Sequence, residues 1–121
     1  LPSVSSGDYE RHRDEGTEAT LKVIKAFKHP NYNRRTVDND IALLRLETPA
    51  PFSNYIVPAC LPGREMAERV LHLNNTLTVV TGWGKDDVGH FSSALNVIKV
   101  PLVSPSICRQ HMSYNISENV L

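Results

Sequence analysis

Two carboxylates stand one residue apart immediately before an apolar run, in Asp38-Asn39-Asp40-Ile41-Ala42-Leu43-Leu44. An aspartate that enters an apolar strand is expected to be at least partly buried. A buried carboxylate is costly unless N–H or O–H donors satisfy it. One chemistry open to such a group is to accept the N–H of an imidazole, fix its tautomer and stabilise the imidazolium as a hydroxyl attacks substrate. Taken by itself, Asp40 reads better as a turn aspartate bonded to local backbone. Asp38 reads as a solvated loop residue. A second group lies upstream: Asp8, Glu10, Glu15 and Glu18 put four carboxylates in a short loop with Gly7 and Gly16. Calcium takes several oxygen ligands, mixing carboxylates with backbone carbonyls. The plainer alternative is a solvated charged loop whose charge Arg11 and Arg13 partly offset.

Other chemistries find less support. The histidines His12, His29, His72, His90 and His111 show no metal-ligand spacing with one another or with a cysteine. There is no glycine-rich phosphate loop and no basic stripe with interleaved aromatics. Thirteen basic and thirteen acidic residues leave a formal charge of +0, which predicts no nucleic-acid partner and no direct membrane contact from this segment. No apolar run approaches the ~20 residues a membrane helix needs. Cys60 and Cys108 are too few to fix a redox compartment. The triplets Asn74-Asn75-Thr76 and Asn115-Ile116-Ser117 are N-glycosylation acceptors in form, a form that fits a secreted, extracellular chain.

The elements that must position these groups are mostly strands. Leu1 to Glu18 is polar and irregular. Ala19 to Lys28 fits either a strand, through Leu21, Val23 and Phe27, or a helix surface, through lysines at 22, 25 and 28. His29-Pro30-Asn31-Tyr32-Asn33 is a turn cluster, and Ile41 to Leu46 is an apolar strand suited to a core. The stretch 49–62 holds four of the eight prolines and reads as an extended connection, since proline fixes φ and withholds an N–H. Met66, Val70 and Leu73 fall at helical spacing, which predicts a short amphipathic helix from Glu65 to Leu73. Leu77 to Thr81 and Leu95 to Val103 have strand composition. Ser104-Pro105 predicts a helix start, with serine as N-cap and proline at the first helical position.

The Asp-Asn-Asp-Ile-Ala-Leu-Leu run, with Gly82-Trp83-Gly84 downstream, resembles the trypsin-like serine proteases. The resemblance runs from Gly7-Asp8-Tyr9 to Ser117-Glu118-Asn119-Val120-Leu121. It implies an all-β fold: a partial double β-barrel, with the end of the first barrel in 1–48, an interbarrel connection in 49–75 and the start of the second barrel in 76–121, plus a short helix near 104–112. It makes Asp40 the triad aspartate and Ala19 to Lys28 a strand. The histidine, in an Ala-Ala-His-Cys segment, and the serine, in Gly-Asp-Ser-Gly-Gly, are expected before Leu1 and after Leu121. The chain is therefore expected to be an internal piece of one peptidase domain, inactive alone.

The same resemblance implies further roles. A structural calcium would be held by Asp8, Glu15 and Glu18 through side chains and by Glu10 and Arg13 through carbonyls. Val37, Met112 and Tyr114 would line substrate subsites, or simply pack their loops. Cys60, in Val57-Pro58-Ala59-Cys60-Leu61-Pro62, would bond to a light chain, and Cys108 to a cysteine further downstream. Gly82 to Gly84 has a structural role. Within the family, Ala67-Glu68-Arg69 and the Ser-Glu-Asn-x-Leu ending are similar to the vitamin K-dependent clotting proteases. That implies a secreted zymogen whose protein substrates are clotting cofactors. The alternatives are another trypsin-like protease, or a protease-like binding protein that has lost the histidine or serine.

Overall fold

A computed structural model of the chain describes residues 2–113, 116–117 and 119–120. Its elements are β1 (Ser3–Ser6), β2 (Ala19–Lys28), β3 (Ala42–Leu46), α1 (Arg64–Met66), β4 (Leu77–Gly82), β5 (Asn96–Pro101) and α2 (Pro105–His111). A π-helical turn, Ala67–Leu71, continues α1. The strands form two open sheets among the described residues, one ordered β1-β2-β3 and the other β4-β5.

β2 resolves the ambiguity in its sequence through its alternation. Leu21 and Val23 are 5% and 1% exposed, while Lys22 between them faces solvent, the period-two pattern of a half-buried strand. Lys22 closes a 2.8 Å ion pair with Glu47. β1 was not expected in the polar opening segment. It forms because β2 offers it a ladder, antiparallel from Ser3 opposite Lys22 to Ser6 opposite Ala19. Backbone pairing recruits it, without an apolar signature of its own. On the other edge, Glu47 N–H donates to the Lys22 carbonyl and His29 N–H to the Ile41 carbonyl, which makes β2 and β3 antiparallel.

The apolar run of β3 is not in a core. Ile41 is 65% and Leu43 71% exposed, because none of the described residues covers that face. The helical segment at 64–71 departs from expectation in the same way. Met66, Val70 and Leu73 are all exposed, and the segment is laced by Arg64–Glu68 and Glu65–Arg69 ion pairs of 3.6 and 3.0 Å. α2 begins as predicted, with Ser104 at the cap position and proline in the first turn. The serine hydroxyl makes no cap hydrogen bond; it lies 3.0 Å from Ser106 Oγ instead.

The chain divides into two compact units. One comprises Leu1–Lys25, Leu44–Cys60 and Val79–Lys99. In it Trp83 Nε1 donates to the Tyr9 carbonyl at 2.9 Å, and Arg11 and Leu95 N–H groups bond to Ser93 and Tyr9. Those contacts seat the acidic loop on Trp83 and on the segment from Ser93 to Leu95. The other comprises Ala26–Leu43, Leu61–Thr78 and Val100–Leu121. There Ile116 is buried, and its carbonyl accepts Arg109 Nε at 2.7 Å.

Candidate functional site

Asp40 ends a tight hairpin. Asn33 and Asp38 form an antiparallel bridge, with Asn33 N–H on the Asp38 carbonyl at 3.0 Å. Asn33 Oδ1 accepts the Arg35 N–H at 3.0 Å, a side-chain mimic of a turn. Val37 and Asn39 both have left-handed backbones, φ 56° and 54°. Asparagine tolerates that region, whereas a β-branched valine there is strained. Asn39 Nδ2 bonds to the Asn31 carbonyl at 3.2 Å, holding the hairpin's exit.

The structure places Asp40 in the open, not partly buried as the sequence suggested. It lines a cleft of about 410 Å³ with Lys28, Tyr32, Arg34, Ile41 and Ala42. Water reaches the carboxylate there, and the apolar strand it introduces is itself uncovered. Asp38 also departs from expectation. It is half-buried, and its Oδ1 accepts the Ser117 hydroxyl, so it is a tie between the hairpin and the segment after α2. Of the subsite candidates, Val37 and Met112 are both exposed, and Tyr114 lies outside the described residues.

The acidic loop is built around its own backbone. Thr17 Oγ1 donates to the Gly7 carbonyl at 2.8 Å and closes its base. Glu15 Oε2 accepts N–H groups of Tyr9 and Glu10, each at 3.1 Å. Glu18 accepts those of Glu15 at 2.8 Å and Thr17 at 3.0 Å. These bonds, the Glu15 N–H foremost, hold the Glu18 carboxyl below the ordinary glutamate value against opposing desolvation. Ligand oxygens of Asp8, Glu15 and Glu18 all lie within 4.8 Å of one another. Asp8 Oδ1 is buried with no hydrogen-bond partner. Three converging carboxylates with one orphaned oxygen fit a hard divalent cation. Glu10 and Arg13 also meet each other: their side chains pair at 3.1 Å, and the Glu10 carbonyl accepts the Arg13 N–H.

A larger cleft, about 550 Å³, is lined in part by Lys85, Asp86, His90, Phe91 and Ser92. It holds an aspartate, a histidine and a serine, but not their catalytic arrangement. His90 Nδ1 is 3.8 Å from Asp86 Oδ2, and Ser92 Oγ donates to the Ala94 carbonyl instead of to the imidazole. Cys60 is an exposed free thiol and Cys108 a partly covered one. Asn74 is exposed, its Oδ1 accepting the Ser104 N–H at 2.9 Å; Asn115 lies outside the described residues. Among those residues no helix is long and apolar enough to cross a membrane.

The trypsin family model matches residues 2–121, and the chain belongs to that family of serine-protease-like domains. Its all-β architecture of open sheets is part of the double-barrel fold. At finer resolution it is similar to vitamin K-dependent protein C: 46% identical to the Oryctolagus cuniculus protein over 98% of this chain, 45% to that of Macaca mulatta over 88%, and 48% to that of Felis catus over 88%. The chain spans 27% of the Oryctolagus protein, 70% of the Macaca sequence and 69% of the Felis one.

Proposed function

We propose that the chain is the central part of a secreted serine endopeptidase of protein C type, with Asp40 as the acid of a Ser-His-Asp triad. The observation that carries this reading is Asp40 held by a braced hairpin at the lip of an open cleft, in a chain of the trypsin family. The residues flanking this chain in the longer protein supply the histidine and serine. Asp40 accepts the imidazole N–H, keeps the other nitrogen facing the serine and stabilises the imidazolium as the acyl intermediate forms. The 121 residues alone hold neither base nor nucleophile and do not catalyse. The barrel boundaries are those expected at 1–48, 49–75 and 76–121.

On this reading Asp8, Glu15 and Glu18 hold a structural calcium, with the Glu10 and Arg13 carbonyls completing the set. The ion neutralises the converging carboxylates and pins the loop; it takes no part in bond cleavage. Cys60 joins a light chain, Cys108 bonds to a later cysteine, and Asn74 and Asn115 carry glycans. Val37, Met112 and Tyr114 contact substrate. Activated clotting cofactors are the substrates, cleaved after zymogen activation. The test is Asp40→Asn in the full-length, activated protein. Turnover of a peptide substrate falls about ten-thousandfold with unchanged folding. Wild-type protein that fails to cleave or to react with a serine-directed phosphonate points instead to a protease-like binding protein.

A further inference from the structure

The chain has thirteen basic residues, and Arg34-Arg35 is its only adjacent pair. Most of the others lie in strands or helical turns. Arg11, Arg13 and Lys85 stand in loops, but each has a carboxylate beside it, from Glu10, Asp14 and Asp86. A pocket that selects arginine is itself acidic and repels such a neighbour. Arg34 and Arg35 have no acid within two residues. Both are exposed on the turn whose neck is the Asn33–Asp38 bridge, and exposed loop tips are where proteolytic nicking concentrates. A protease binds an extended segment, so the turn must open before it is cut. Opening breaks three bonds: Asn33 N–H to the Asp38 carbonyl at 3.0 Å, and Arg35 and Thr36 N–H to Asn33 Oδ1 at 3.0 and 3.4 Å. Each is worth a factor of about two to ten, so the open turn is populated to roughly one part in a hundred. Cleavage follows that population. The left-handed φ of 56° at Val37 is strain that a cut releases, which keeps a nicked turn from re-forming.

We propose that Arg34-Arg35 is a cleavage site, at which an endopeptidase that selects arginine nicks the folded protein and switches Asp40 off. Water adds across the peptide bond after Arg34 or Arg35. The C–N bond breaks, leaving a carboxylate on the arginine and an ammonium on the residue that follows. The two pieces stay together. β2 and β3 remain paired through the His29 N–H and the Ile41 carbonyl, Asn39 Nδ2 still holds the Asn31 carbonyl, and Asp38 still accepts the Ser117 hydroxyl. What is lost is the closed turn that fixes the backbone leading into Asp40. The effect on activity rests on the protease reading, in which Asp40 must meet the triad histidine in one geometry. A misplacement of about 1 Å there costs on the order of a hundredfold.

The experiment treats the full-length activated protein briefly with immobilised trypsin, removes the beads, and follows the cut by mass spectrometry and N-terminal sequencing. The expected first cut within these residues gives a new N-terminus at Arg35 or Thr36. The nicked protein elutes as one particle in gel filtration, and its turnover of a peptide substrate falls to about a tenth or less in step with the nicked fraction. Arg34→Gln with Arg35→Gln resists the cut and keeps its own starting turnover through the same digest. Asn33→Ala, which removes two of the three bonds, speeds the cut by about tenfold. A first cut elsewhere in the segment overturns the site. Full turnover in nicked protein overturns the switch, as does an equal loss of turnover in the digested double glutamine variant. Uncut protein that cleaves no peptide overturns the protease reading itself, while the position of the first cut still decides the site by mass alone.

Discussion

On the proposed reading, isolating these 121 residues from the longer protein removes what covers their apolar faces, and the size of the effect follows from area. The chain exposes 10194 Å². A compact monomer of its 13.5 kDa mass exposes about 6,500 Å², so roughly 3,700 Å² is surplus. If about 55–60% of that is apolar, some 2,000 Å² of hydrocarbon remains in water, worth about 50 kcal/mol at 25 cal/mol per Å². Even a third of that exceeds the 5–15 kcal/mol by which a typical domain is stable. Only Leu21, Val23 and Ile116 are buried apolar side chains among the described residues. The isolated chain should therefore show a broad, non-cooperative urea titration by circular dichroism, bind a hydrophobic dye and give a poorly dispersed amide spectrum. Within the longer domain the same residues should unfold cooperatively. A single sigmoidal transition of the isolated chain, with a slope of ~1–3 kcal/mol per molar urea and sharp dispersed amides, would refute the reasoning.

Two further outcomes test the proposed calcium site of the acidic loop in the full-length protein. Gly7→Ala places a methyl against the Thr17 carbonyl and 3.0 Å from Ile56 Cγ1, at a backbone φ of 76°. It should cost about 1–3 kcal/mol and lower calcium affinity with it, read by calorimetry and thermal melts with and without the ion. Acidification should release the ion late. The folded Glu18 carboxyl lies below its ordinary 4.5, so it remains ionised above that value, and its contribution disappears as pH falls through the lowered one. Calcium titrations from pH 7 to 3 should therefore keep the Glu18 share of the affinity until the pH passes below the ordinary glutamate range. Loss near pH 6 would show that another group controls the site.

How much of this was legible depended on whether the signal was local. Leu21 and Val23 carried β2, although the lysines left a helix open until the resemblance decided it. Ser104-Pro105 marked α2 to the residue, but the expected cap bond is absent because the hydroxyl faces Ser106. Spacing marked four carboxylates in the acidic loop and the resemblance chose three of them, and the structure brings Asp8, Glu15 and Glu18 together. What escaped were partners distant in sequence. β1 exists through its ladder to β2, Asp38 is tied to Ser117 across 79 positions, and Trp83 reaches Tyr9 across 74. The exposure of Asp40 and β3 was also misjudged, because an apolar pattern states what a strand should bury against but not whether the covering element is at hand.

Each compact unit is stitched from three separated stretches of chain, one ending at Lys99 and the other at Leu121. During synthesis neither can therefore close until nearly all of this segment has left the ribosome, a wait of several seconds at 5–20 residues per second. Contacts so distant in sequence also form slowly once the chain is free. A protease that nicks the hairpin at Arg34-Arg35 would cut one unit internally and release neither. The segment should thus be a client of holding chaperones while it is made, and its synthesis should be more sensitive to their loss than its finished fold is to nicking.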